Sequence, residues 1–333
     1  MDIYIKSFNR AYLLHRTIAS IYHYLNNFNG RIVVLDDGTP QKYLDKINHL
    51  FPHVEIVKSP YYEQKSNDIS LNKVPEKVIP ANFWRDEVLR GSEYFILLED
   101  DMWFTQPINY KNFVKDIYDL KMDMVKFMWL KNNVLISDGI IQTTEYFKLV
   151  DPKVLTKNYF LFDAFFRTNK WKLGSIAKRL FQHKEELLKY YQLYIVAGGI
   201  FSKRYYNACW KLDQNNVDEL KQISQLLSSK IPFRTGNSNQ EILKATYKTT
   251  ATLISKDHLC ATVDIFKINK FLNEEWLKGN SYDISDFEKD IPTEWMKKCM
   301  VNNDILNTNL FAEWEIWYKA FSLSYKKIGC DVE

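Results

Sequence analysis

Two unbroken apolar runs of strand length stop abruptly at carboxylates. Ile32-Val33-Val34-Leu35 runs into Asp36-Asp37-Gly38, and Tyr94-Phe95-Ile96-Leu97-Leu98 runs into Glu99-Asp100-Asp101. Apolar runs without polar alternation predict strands covered on both faces. Ahead of them, residues 2–6 read as a strand. Leu14, Ile18, Ile21, Leu25 and Phe28 then recur at spacings of four, three, four and three. That period predicts an amphipathic helix, capped by Asn9 and ended by Asn29-Gly30. Helices are predicted at 41–50, 81–91 and 109–120, and strands at 54–58 and 123–129. Strand alternating with helix indicates parallel pairing and an α/β sheet.

Residues 59–79 break this rhythm: they are polar, carry Pro60 and Pro75, and read as a long loop of the kind that is often functional. Asn132-Asn133 and Asp138-Gly139 suggest turns between short strands in 130–170. Residues 174–192 form a basic amphipathic pattern, read as a solvated helix face with membrane-surface contact as the competing reading. An apolar strand at 193–197 ends at Gly198-Gly199. Helices follow at 202–212, 217–228 and 239–248, with a strand at 250–255. The tail from 269 is mainly helical, and Trp276, Trp295, Trp314 and Trp317 can pack it down. The expected organisation is a main domain over 1–265 and a helical extension over 266–333.

Composition narrows the picture modestly. A chain of 333 residues, 46% hydrophobic and 26% charged, can bury a full core. A formal charge of +4 over that length gives no argument for nucleic acid. Aromatics at 15% suit stacking on sugar rings and suit an aromatic core equally. Cys209, Cys260, Cys299 and Cys330 are widely spaced, so neither a zinc site nor a disulfide framework is suggested. The chain opens directly on a strand rather than a leader, and no stretch reaches the ~18 apolar residues of a bilayer span. A reducing, cytoplasmic setting is the default expectation.

The acids carry the chemistry. In open α/β sheets the ligand crevice lies beyond the carboxyl ends of the strands, where all five carboxylates fall. Alternation along an extended chain sends Glu99 and Asp101 to one side and Asp100 to the other. Two like charges about 4 Å apart repel by roughly 4 kcal/mol at an effective dielectric near 20. A divalent cation removes that repulsion, and carboxylate oxygens suit Mg²⁺ or Mn²⁺, whose shells are commonly completed by substrate phosphates. The competing reading is a polar turn at a strand end.

Three segments in order resemble family 2 glycosyltransferases of the GT-A fold: IYIKSFNRAYLLHRTIASI from Ile3, IVVLDDGTP from Ile32, and EYFILLEDD from Glu93. The resemblance covers residues 3–104, with fragments beyond. It implies that Asp36 and Asp37 contact the base and ribose of a nucleotide-sugar donor. It also implies that Asp101 binds the metal, and that Glu99 or Asp100 holds ribose or completes the metal shell. Phe8 and Arg10 would lie beside the nucleotide. Arg85, in Ala81-Asn82-Phe83-Trp84-Arg85-Asp86, becomes the phosphate candidate, against a structural pairing with Asp86 or Glu87. Gly198 and Gly199 resemble the acceptor-side segment. Glu241, opening the helix expected at 239–248, falls at the general base's place, with Asp138 and Asp163 as rivals. His258 is a candidate third metal ligand.

The function so implied is metal-dependent, inverting transfer of a sugar from a nucleotide diphosphate sugar to a glycan or lipid-linked acceptor, with Mn²⁺ or Mg²⁺. Surface polysaccharide synthesis at the inner face of a membrane is the implied setting. A sugar nucleotidyltransferase would open on a Gly-rich phosphate loop, which SFNRAYLL lacks. A dehydrogenase would need G-x-G-x-x-G after its first strand, which is absent. A non-catalytic nucleotide-sugar-binding protein of the same fold stays open beside the enzyme.

Overall fold

The protein is described by a computed structural model over residues 1–168, 183–211, 216–251, 263–303 and 309–332. In chain order the strands are β1 (Asp2–Ser7), β2 (Leu25–Asn26), β3 (Ile32–Asp36), β4 (Glu55–Lys58), β5 (Tyr94–Glu99), β6 (Met102–Phe104) and β7 (Ile108–Asn109). They continue with β8 (Met124–Lys126), β9 (Ile140–Thr143), β10 (Phe147–Val150), β11 (Gly199–Ser202), β12 (Thr235–Ser238) and β13 (Leu243–Ala245). The first helices are α1 (Ala11–Tyr24), α2 (Gln41–Leu50), α3 (Tyr62–Ser70), α4 (Ala81–Arg90), α5 (Tyr110–Leu120) and α6 (Tyr159–Phe162). After them come α7 (His183–Lys189), α8 (Lys203–Cys209), α9 (Glu219–Ser228), α10 (Ile265–Leu277), α11 (Thr293–Asn303) and α12 (Leu310–Lys326). This is the expected α/β architecture, a large sheet flanked by helices.

The chain divides into two compact units. One comprises Met1–Ile3, Ala81–Leu97 and Asn109–Ile242. Its strands follow the order β5-β11-β8-β12-β10-β9. β8 and β12 are parallel, whereas β11 runs antiparallel to both β5 and β8, and β10 to both β12 and β9. Phe113 packs 5.7 Å from Phe127 and 4.7 Å from Phe147, tying α5 to the sheet. Good caps fix the helix starts: Asn109 accepts from the Asn112 N–H, Ser202 from Tyr205, and Asp218 from Lys221.

The other unit comprises Tyr4–Pro80, Leu98–Ile108 and the chain from Leu243 onward. Here β4, β3 and β1 lie in sequence, with the end of β5 beyond β1. β3 and β4 are parallel, Val33 opposite Glu55 and Asp36 opposite Lys58. α1 packs on β6 and α10, burying Leu13, Leu14, Ile18 and Ile21. Arg16 is buried, its guanidinium 3.9 Å from the Trp103 ring centre, and donates to the Asp286 and Lys289 carbonyls. Trp276, Trp314 and Trp317 are buried, so the tail packs down as expected; Trp295 is partly exposed.

Several local expectations need correction. Asn9 does not cap α1; it takes a left-handed conformation, φ 53°, and Arg10 occupies the cap position. α1 ends at Tyr24, where the chain turns into β2, rather than at Asn29-Gly30. The stretch read as loop over 59–79 contains α3, whose inward face is Tyr62, Lys65 and Ile69. A buried lysine at the centre of that face hid the period. β11 begins at Gly199, after a reversal at Gly198 (φ 79°), instead of ending there. The helix expected at 239–248 is loop and strand: Leu243, Lys244 and Ala245 pair with Phe104, Trp103 and Met102. Tertiary pairing decided that segment, whose short apolar pattern suits either state. All but the first two residues of the strand expected at 250–255, and half the basic helix expected at 174–192, lie outside the described residues.

Candidate functional site

The end of β1 draws the acids together. The Asp37 N–H donates to the Ser7 carbonyl at 3.0 Å, and the Asp100 N–H to the Lys6 carbonyl at 3.0 Å. The two acidic strand ends therefore flank residues Lys6–Arg10, all within the second unit.

Asp36 and Asp37 do different work. Asp36 is fully buried; it accepts the N–H groups of Gly38 (3.0 Å) and Thr39 (2.8 Å) and the Thr39 hydroxyl (2.6 Å). Burial raises its carboxyl to about 6, against the pull of those hydrogen bonds. Asp36 thus builds the turn. Gly38 is required in that turn: its φ is 134°, and an added Cβ would lie 2.5 Å from the Lys65 Cβ. Asp37 receives the Ser59 hydroxyl at 2.5 Å and the Lys65 ammonium at 2.6 Å. Burial raises its carboxyl too, with Lys65 and Ser59 opposing. Lys65 Nζ lies 5.3 Å from the centre of the half-buried Phe8 ring, which meets Phe266 edge-on at 5.9 Å.

The second cluster is neutralised from within. Glu99 pairs with Lys6 at 2.8 Å. Arg10 holds Asp100 at 2.5 Å and Asp101 at 2.6 Å. Burial works against the Glu99 charge, yet Lys6 and then Arg10 hold its carboxyl below the ordinary range. Asp100 is pushed up to about 7, by burial first and then by its acidic neighbours, against Arg10. Asp101 is likewise raised by burial, and by Glu99, against Arg10. The Phe8 N–H donates to Asp100 at 3.0 Å, so the loop after β1 is pinned to this acid.

A divalent ion is tested by the donor set. Among the described residues no three His, Cys, Asp or Glu side chains form a group able to hold a metal ion. Asp101 Oδ1, however, is buried with no hydrogen-bond partner among the described residues, while Arg10 holds the other oxygen of the same carboxylate. That orphaned oxygen fits an ion held by one carboxylate and completed by phosphate and water. His258 lies outside the described residues.

The loop carrying Phe8 and Arg10 is held from α10. Asn273 donates to the Asn9 carbonyl (2.9 Å) and side-chain oxygen (3.2 Å), and accepts from the Tyr12 N–H (3.3 Å). The Asn9 N–H donates to the Thr39 hydroxyl at 2.8 Å. Both asparagines are fully buried. Lys6, Lys65, Ser59 and Asn273 were missed by sequence reasoning. Lys6 alone had a visible signal, a charge inside an otherwise buried strand.

The remaining candidates lie in the first unit. Arg85 on α4 pairs with Asp86 at 2.8 Å and donates to the Trp210 carbonyl, the structural pairing considered from sequence. Gly199 lets β11 approach β8, since an added Cβ would lie 2.1 Å from the Val125 carbonyl oxygen. Glu241 sits in the loop between β12 and β13 and accepts the N–H groups of Trp129 (2.5 Å) and Lys131 (3.2 Å). Of its rivals, Asp163 pairs with Arg167 at 2.8 Å.

By sequence the chain matches no protein-family model and no curated protein. Among solved structures it is similar to S. aureus TarS, at 11% identity and a TM-score of 0.43, over 98% of this chain and 54% of that one. It thus spans about half the length of that chain. Glucosyl-3-phosphoglycerate synthase from Mycobacterium tuberculosis, in complex with Mn²⁺, UDP and phosphoglyceric acid, is similar at 12% identity (TM-score 0.31; 62% of this chain, 57% of that one). Galactosyltransferase LgtC, in complex with donor and acceptor sugar analogues, is similar at 12% identity (TM-score 0.32; 90% of this chain, 100% of that one).

Proposed function

We propose that the protein is a glycosyltransferase that moves a sugar from a nucleotide diphosphate sugar to a hydroxyl of a glycan or lipid-linked acceptor. The observation that carries this reading is the pairing of two acidic strand ends on either side of the β1 end, with Arg10 and Lys65 buried among them. The GT-A resemblance of residues 3–104 supplies the reaction.

In this reading the Phe8 face and Asp37, oriented by Lys65, meet the base and ribose. Asp36 shapes the turn beneath them. Arg10 is the cation beside the diphosphate, and Glu99 or Asp100 takes a ribose hydroxyl. Asp101 holds Mg²⁺ or Mn²⁺, which when bound supplies Lewis-acid neutralisation of the departing diphosphate. On resemblance alone, His258 adds a ligand, Arg85 a phosphate contact, Gly198 and Gly199 the acceptor side, and Glu241 the base. Inversion follows from direct displacement. Work at the inner face of a membrane in surface polysaccharide synthesis belongs to the same reading. Among the described residues no helix is long and apolar enough to cross a membrane.

The test is a thermal-shift and calorimetric screen of nucleoside diphosphates and their sugars, with Mg²⁺, Mn²⁺ or chelator. A ligand of the folded state raises its stability by mass action, by about 2.7 kcal/mol at 100 times its Kd. Binding of a nucleoside diphosphate that Asp101→Ala abolishes, together with donor hydrolysis, is the expected result. Silence across the whole panel would retire the reading.

A further inference from the structure

The first unit contains a cavity of about 400 Å³ that none of the acids above lines. Its walls are apolar: Leu149, Leu193, Leu226, Ile231 and Phe233. Ile141 and Ile231, at 64% and 41% exposure, also line it. Ile141 belongs to β9, the edge strand of the sheet, where an exposed apolar side chain invites unwanted pairing. Apolar surface left open beside an apolar cavity is the mark of a surface that something covers.

The polar side chains of the cavity have one dominant sign. Among the described residues Lys157, Lys230 and Arg234 line it, against one carboxylate, that of Asp151. Asp151 pairs with Lys157 at 3.1 Å, and Arg234 Nε donates to the Leu120 carbonyl. No partner for Lys230 Nζ is found among the described residues. Three cations against one carboxylate leave a formal charge of +2, matching a phosphate dianion. Lys230 also stands at φ 56°, a left-handed position after the end of α9 where glycine costs less.

We propose that this cavity binds one hydrocarbon chain ending in a phosphate, an alkyl phosphate. The chain lies against the leucines, and the phosphate sits between Lys230 and Arg234. Apolar walls alone would accept any amphiphile; the cations select the anionic one. The proposal stands independently of the nucleotide reading, because no residue is shared.

The experiment is calorimetric titration of the full chain with dodecyl phosphate below its micellar concentration. Dodecyltrimethylammonium and inorganic phosphate serve as parallel titrants. One dodecyl phosphate per chain is expected, at least about tenfold tighter than either control. Lys230→Gly relieves the left-handed strain, so it folds, and it should weaken binding about fivefold or more. Ile231→Asp, at an exposed position, should weaken it as well. Equal affinity for the cationic amphiphile, equally tight inorganic phosphate, binding untouched by both substitutions, or no saturable binding would each overturn the proposal.

Discussion

Arg10→Met isolates the charge balance of the acidic cluster. The methionine keeps an unbranched stem of similar reach but removes the guanidinium that pairs with Asp100 and Asp101. Arg10 is 3% exposed and Asp100 fully buried, so the loss leaves carboxylates in low dielectric with Lys6 as the remaining paired cation. Breaking a buried pair by removing one partner costs about 3–5 kcal/mol. With an unfolding entropy near 2.1 cal/mol/K per residue, a 333-residue chain has about 0.7 kcal/mol/K, so Tm should fall by about 4–7 °C. The deficit should be smaller at acid pH, where the stranded carboxyls take up protons. Mg²⁺ or Mn²⁺ should restore part of it if Asp101 offers its free oxygen to an ion, about 2.7 kcal/mol at 100 times Kd. Thermal and urea unfolding of both proteins, with chelator and with each ion, measure all three effects. A variant within about 1 kcal/mol of the parent in chelator would show that Arg10 does not neutralise the cluster.

Three further outcomes follow from the same geometry. Asp36 has its folded pKa raised from 3.8 to about 6 by burial, so the folded state binds the proton more tightly. Its contribution to stability is therefore greatest below about 4 and falls as pH rises through 6, by about 3 kcal/mol at most; Asp36→Asn should lose that pH dependence in urea midpoints. Asn273→Ala strands the Asn9 carbonyl and the Tyr12 N–H, costing about 1–3 kcal/mol for each buried group, and should weaken nucleoside diphosphate binding in calorimetry. Glu241→Gln should cut turnover about 10²- to 10⁴-fold at constant donor affinity; a lowered Tm with normal turnover would assign Glu241 to holding the Trp129 and Lys131 amides instead.

What was legible in the sequence follows from how local each determinant is. β3 and β5, with their acidic ends, were read within a residue because continuous burial writes a continuous apolar run. Helix α5 was read over 109–120 for a similar reason, since its start signal and its period lie within a few positions of each other; that Asn109 caps it by accepting the Asn112 N–H is seen in the structure. Lys65 was invisible because its partner Asp37 is 28 residues away, and α3 was lost with it. Segment 239–248 failed for a related cause: Leu243 pairs with Phe104, about 140 positions earlier, and no local pattern encodes that register. At the site, chemistry-bearing acids were legible as types, but their division of labour was not. Asp36 and Asp37 are adjacent in sequence; only the fold tells which shapes the turn and which meets Lys65.

The clamp on Asn9 sets an order of events in synthesis. Strands β1, β3 and β5, with Arg10 and every acid it pairs with, emerge in the first hundred or so residues. The asparagine that fixes the left-handed bend between β1 and α1 emerges roughly 170 residues later, some 10–30 s at ordinary translation speeds. During that interval the nascent chain carries the acidic cluster and its counter-cations without the α10 contact that holds the loop. A ligand seated on that loop therefore has to wait for the last third of the chain, and a fragment stopping before α10 should keep the strands yet bind poorly.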